Sequence, residues 1–163
     1  PQEAVKFSFA NLHNYKWDVE HISPQNPKND DDLKKAVEKF KDNEYLKILI
    51  DAINKEEKDT KIIEEEERAK YFATGDDLMG IQNLTLLSAH DNRGIGNKFF
   101  FEKRQKLQEY YQQGSFIPAC SMNVFMKFYS EKPEQMAFWD KDDRDSYKNK
   151  LEQAIKNFFD NEQ

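Results

Sequence analysis

Two short strand-like segments, far apart in the chain, are set among apolar residues that mostly recur at helical spacing. The first runs from Trp17 to Ile22 and alternates, with Trp17, Val19 and His21 on one side and Asp18, Glu20 and Ile22 on the other. Pro24 ends it, and Pro27 keeps the following chain out of a helix. The second is the apolar run from Leu84 to Leu87, which contains Thr85 and is preceded by Asn83. Val5 to Phe9 also alternates and reads as a short strand or the remnant of a preceding segment.

The rest of the chain is patterned for helices. Leu33, Ala36, Val37 and Phe40 fall at i, i+3, i+4 and i+7, and Leu46, Leu49, Ile50 and Ile53 repeat that stripe. A helical insertion is therefore expected over 31–73, with Asp30 or Asp31 as its first cap. Gly75-Asp76-Asp77 reads as a turn, and residues 88–97, with Gly94 and Gly96, read as a sharply bending loop. Helices follow from Lys98 to Tyr111, from Ser115 to Tyr129 and from Asp140 to Phe159, the last with Leu151, Ala154, Ile155 and Phe158 as its stripe. The expected class is α+β, predominantly helical.

Composition narrows the possibilities. The 163 residues suffice for one domain, and scarce Gly and Pro with 13 Phe, 7 Tyr and 2 Trp suit a helix-rich fold with aromatic anchors. No apolar run approaches the ~20 residues of a membrane span, and no basic-then-apolar start marks a secretory signal. The chain starts at Pro1 without a methionine, which reads as a piece of a longer or processed protein. One cysteine, Cys120, excludes an internal disulfide and a cysteine zinc site, and it reads as a small buried residue in a reducing, cytoplasmic compartment. A net charge of −6 argues against a general polyanion binder. Locally, however, Arg93 to Lys106 holds five basic residues and one acid, which is either a basic face for a phosphate backbone or a solvated helix surface.

The chemistry lies in Glu20-His21 and in Asn92, nine residues after Asn83. Hydrolysing a phosphodiester needs an activated water and a charge to hold the leaving oxygen. His21 is suited to take the proton of the water, Glu20 to bind a hard divalent cation, and Asn92 to add an amide oxygen. Asn83 is suited to hydrogen-bonding loop backbone and so to bracing the loop that carries His21. Adjacent strand residues point to opposite faces, so both side chains reach one phosphate only where the strand ends or twists. His90 offers either a further ligand or a surface hydrogen bond, and His13 lies in a polar stretch and reads as exposed.

Glu20-His21-Ile22-Ser23-Pro24 resembles the Asp-His-Ile-x-Pro opening of HNH nucleases, and Asn83-Leu84-Thr85-Leu86-Leu87 resembles their central strand. Asn92-Arg93-Gly94 is similar to the matching stretch in the HNH domain of RNA-guided CRISPR nucleases. With Phe100-Phe101-Glu102-Lys103-Arg104, and with Trp139 followed by Arg144, the longer pattern is similar to the C-terminal domain of GmrSD-type modification-dependent restriction endonucleases. The resemblance implies a single HNH-like nuclease domain over 1–163. It has a ββα-metal core (15–27 and 79–112), a helical insertion between the strands and C-terminal helices (115–160). It implies His21 as general base, Glu20 and Asn92 as ligands of one Mg²⁺ or Mn²⁺, Asn83 as loop brace, and a helix beginning after Asn92. It further implies Asn97 as assisting at the site and Arg93, Lys98, Lys103 and Arg104 as contacts to DNA phosphates. The implied substrate is DNA, possibly modified, in restriction or phage defence. The implied partner is a nucleotide-hydrolysing regulatory domain or subunit absent from this chain, which carries no P-loop.

The chain departs from the family in three ways. Glu20 stands where most members have Asp. The usual zinc-knuckle cysteines are Ser88 and Asp91, so no structural zinc is expected. The insertion between His21 and Asn83 is long, and from Lys28 to Tyr71 its acids outnumber its bases 14 to 11, which argues against DNA contact. Two other readings stay open: a catalytically inert module of the same fold that binds a partner or nucleic acid, and a helical structural domain with chance motif matches.

Overall fold

A computed structural model describes residues 9–24 and 69–160. In chain order these form α1 (Phe9–Asn14), β1 (Trp17–His21), α2 (Asp76–Met79), a 3-10 turn (Ile81–Asn83), β2 (Leu84–Ser88), α3 (Ala89–Ile95), α4 (Phe100–Gln112), α5 (Ala119–Phe125) and α6 (Lys141–Asp160). The fold is α+β, its described strands forming one two-stranded antiparallel sheet. The insertion expected over 31–73 lies outside the described residues except for its last few. Of the N-terminal alternating run only Phe9 is described, and it opens α1 rather than ending a strand.

β1 and β2 pair from Trp17↔Ser88 to His21↔Leu84. Backbone bonds extend the ladder at both ends, from Ile22 N to Asn83 O (2.8 Å) and from Ala89 N to Lys16 O (2.7 Å). At its two central pairs the sheet is inside out for a half-buried pair, although Leu87 beside them is buried. Val19 and Leu86, opposite each other, are 57% and 42% exposed, whereas Glu20 and Thr85, also opposite, are 8% and 6% exposed. Polar groups can face inward only when partnered, and both are. Glu20 meets Lys103 of α4, and Thr85 Oγ1 donates to Ser121 Oγ of α5 at 2.8 Å. Ser121 in turn donates to the Leu86 carbonyl.

Residues 88–97 are not a loop. Ser88 Oγ accepts from Asp91 N (3.1 Å) and donates to Asp91 Oδ2 (2.8 Å), capping α3, so the helix starts before Asn92 rather than after it. The two positions where a zinc knuckle would place cysteines are thus bonded to each other. Gly96, at φ 60, ends α3 in the left-handed region that glycine tolerates. α4 starts at Phe100, where Glu102 Oε2 accepts from Phe99 N at 3.2 Å, and not at Lys98. Gly75, also at positive φ, turns the chain into α2.

The helix read over 115–129 shrinks to α5, because Pro118 lacks an N–H and sets the helix start at the residue after it. Its Cys120 is exposed, not a buried filler. On α6 the apolar stripe is only partly used: Leu151 packs on the core, while Ile155 and Phe158 are exposed.

The core joins Ile22 and Leu87 of the sheet region to Phe100 and Leu107 of α4, Phe125 of α5 and Trp139. Trp139 donates its indole N–H to Gln82 O at 2.9 Å. Arg144 of α6 is buried and uses each of its three nitrogens, donating to Trp139 O (2.9 Å), Ala69 O (2.8 Å) and Asp77 Oδ2 (3.2 Å). It ties α6 to the chain that leads into β2, the stretch that positions Asn83.

Candidate metal and nuclease site

Glu20 and His21 are the last two residues of β1, so the strand alternation sends them to opposite faces. The strand does not end between them. Glu20 turns inward, and His21 lies half-buried on the other face with Nε2 3.4 Å from Met79 Sδ. Burial lowers the His21 pKa from its ordinary value, the Lys103 charge lowers it further, and Glu20 opposes both. The imidazole is therefore neutral, and able to accept a proton, at pH 7.

Asn83 is fully buried in the 3-10 turn that leads into β2. Its Oδ1 accepts from Ser23 N (2.7 Å), and its Nδ2 donates to Ser23 O (3.3 Å) and Leu78 O (3.0 Å). The amide therefore holds the bend just after His21 from both sides of one residue. Ser23 passes the restraint on, its Oγ accepting from Ala73 N at 3.2 Å.

Lys103 occupies a place other than the one expected of it. It is 1% exposed and cannot reach a DNA backbone. Its Nζ donates to Glu20 Oε1 at 2.5 Å and to the His21 carbonyl oxygen. Burial pushes the ammonium below its ordinary pKa, while the charge and hydrogen bond of Glu20 pull it back up. The sequence does carry a sign of this. Phe100, Lys103 and Leu107 fall at i, i+3 and i+7, and that shared stripe puts the lysine on the buried face.

The remaining site residues separate. Asn92, half-buried, lies in α3, which packs against both strands. Arg93 and Asn97 are exposed on and after that helix. Lys98 Nζ donates to Ile95 O at 2.6 Å, closing the C-terminal end of α3. Arg104 is half-buried, and its Nε is a buried donor without a partner among the described residues. His90 is exposed and 3.3 Å from Asp91 Oδ1, and His13 is exposed. Met79, which covers His21, was not singled out from the sequence, because a lone Met after two acids gives no signal.

Glu20 and Asn92 are the two ligands that the sequence leads one to expect for a hard cation. Among the described residues no group of three or more His, Cys, Asp and Glu stands together as a metal cage. Mg²⁺ is commonly bound through one or two carboxylates and keeps waters and substrate phosphate as further ligands, so Glu20 alone supplies the carboxylate such an ion would use. Glu20 Oε1 takes Lys103, and among the described residues no hydrogen bond reaches Oε2. Among the described residues no helix is long and apolar enough to cross a membrane. No family model, curated protein or solved structure matches the chain.

Proposed function

We propose that this chain is a metal-dependent DNA endonuclease module of the HNH, ββα-metal type, the cleavage part of a restriction or phage-defence system. The observation that carries the reading is the Asn83 brace on Ser23, which fixes the backbone immediately after Glu20-His21. The pairing of β1 with β2 and the packing of α3 on both strands support it. In this reading Glu20 and Asn92 hold one Mg²⁺ or Mn²⁺, whose chemistry is to stabilise negative charge on the leaving oxygen of the phosphodiester. His21 takes the proton of the attacking water as the new P–O bond forms and the bond to the leaving oxygen breaks. Arg104, Arg93 and Lys98 are the phosphate contacts, and Asn97 assists at the rim.

Substrate choice and control belong, in this proposal, to a nucleotide-hydrolysing partner or domain, with modified DNA as the target class. The reducing cytoplasm suits a chain with one exposed thiol.

A second reading, an inert module of the same fold, is favoured by one observation: the Glu20 carboxylate already holds a cationic side chain. One experiment separates the two. Supercoiled plasmid is incubated with the protein and Mg²⁺ or Mn²⁺, beside His21→Ala and an EDTA control. Metal-dependent nicking that the substitution abolishes is the expected result. Absence of both nicking and Mn²⁺ binding would leave the interaction module as the better account.

A further inference from the structure

Lys103 reaches the end of β1 from α4 and is sealed there, 1% exposed. A buried lysine is costly unless its charge and protons are satisfied. Two of its three protons are taken by Glu20 Oε1 and the His21 carbonyl. One ammonium therefore grips the side chain of one candidate catalytic residue and the backbone of the next.

Three consequences follow. The Glu20 carboxylate is fixed in rotation through Oε1, and among the described residues no hydrogen bond reaches Oε2. The main chain at His21 is held from the α4 side as well as from Asn83. A full positive charge also stands in contact with the carboxylate that a metal would use. Like charges at such range repel, and the repulsion is strong where water is excluded. A structural ion pair alone would give the first two effects. The third bears on metal binding.

We propose that Lys103 is a positioning residue that competes with the divalent cation for Glu20 and so sets the metal affinity of the site. The inference rests on the reading of Glu20 as a metal ligand. It implies weak metal binding by the protein alone, tightened by the negative charge of a DNA phosphate.

The test is titration with Mn²⁺, followed by electron paramagnetic resonance, on the wild-type chain, Lys103→Met, Lys103→Arg and Glu20→Gln, with thermal melts to confirm folding. Lys103→Met is expected to bind Mn²⁺ at least tenfold more tightly, Lys103→Arg to stay within about threefold of wild type because it keeps the charge, and Glu20→Gln to lose binding. If wild type binds and Lys103→Met binds equally or more weakly, the competition is overturned while Glu20 stands as ligand. If Glu20→Gln binds as wild type does, or no form binds, the metal reading fails and takes the inference with it.

Lys103→Met can fail to fold, since it leaves a buried carboxylate unpaired. The wild-type chain then gives the answer through amine labelling with mass-spectrometric readout, with and without Mg²⁺. Labelling of Lys103 that rises at least threefold with Mg²⁺ supports its displacement from Glu20. Unchanged labelling at saturating Mg²⁺ overturns it.

Discussion

Asn83 and Ser23, sixty residues apart, exchange two hydrogen bonds: Ser23 N donates to Asn83 Oδ1 at 2.7 Å, and Asn83 Nδ2 donates to Ser23 O at 3.3 Å. With the Leu78 carbonyl, one buried amide satisfies three backbone groups. Asn83→Ala leaves them without a partner in a site closed to water. An unsatisfied buried group costs ~1–3 kcal/mol, so a loss of about 3 kcal/mol is expected in urea unfolding. A loss under about 1 kcal/mol would mean that the bend is held by other contacts.

His21 is expected to titrate below its ordinary value near 6.5, because burial and the Lys103 charge both disfavour the imidazolium. The unfolded chain then binds the proton more readily than the folded one. The stability contribution is complete above about pH 6.5 and is lost as the pH falls through the folded-state pKa. In the proposed reading of His21 as general base, nicking activity should fall along the same acid limb, since that base must be neutral. Proton NMR of the ring gives the midpoint directly, and Met79→Ala, which uncovers Nε2, should move it upward. A wild-type midpoint at or above 6.5 would contradict this account.

Lys127 and Asp143 form a second buried pair at 2.6 Å, 0% and 1% exposed, joining the end of α5 to α6. Burial raises the Asp143 pKa to about 6 against the pull of Lys127. Lys127→Met leaves that carboxylate unpaired, and breaking a buried pair costs ~3–5 kcal/mol. Lys127→Met with Asp143→Leu should recover most of the loss. The raised Asp143 pKa also gives a sign: its contribution is fully present below about pH 3.8 and is lost as the pH rises through about 6. Melts of the two variants at pH 5 and pH 7.5 check both points, with the single variant losing more at the higher pH.

Gly94 lies inside α3, and a Cβ there would fall on the Tyr110 hydroxyl of α4. Alanine favours a helix over glycine by ~1 kcal/mol, but the collision with a ring held between packed helices outweighs it. Gly94→Ala is therefore expected to lower the melting temperature. In a Tyr110→Phe background, where the hydroxyl is gone and only the ring carbon at 3.1 Å remains, the same change should cost distinctly less. A stabilising effect of Gly94→Ala alone would show that Tyr110 moves freely.

The strands and the site backbone could be read from local sequence. Period two marked the run from Trp17 to His21, and the Asn-Leu-Thr-Leu-Leu run marked β2, because both signals are set by neighbouring residues. Residues 88–97 misled, since their glycines suggested a loop. The Ser88–Asp91 cap, whose length-four spacing also opens many turns, decides for helix. The role of Lys103 was hidden for a different reason. Its charge, together with Arg104 and Lys106, suggested a basic face, whereas its position in the Phe100–Leu107 stripe pointed inward. Charge and periodicity conflict there, and the acid able to receive the lysine lies 83 residues earlier. Nothing local in the sequence pairs those two residues.

Leu87 and Ile22 reach the core, but the central pairs of the sheet turn Val19 and Leu86 to solvent and Glu20 and Thr85 inward, so apolar burial alone does not set its alignment. Its alignment is kept by addressed polar contacts: Asn83 at one end, Lys103 and Ser121 beneath. A slide of β1 by one residue would swap the faces, carrying Glu20 out to water and His21 into the packed interior. Because acid and imidazole are neighbours on one strand, such a slide would disable both at once while leaving the helices standing. The candidate chemistry thus depends on strand phase as much as on side-chain identity, and damage to the polar contacts beneath the sheet should silence it well before the protein unfolds.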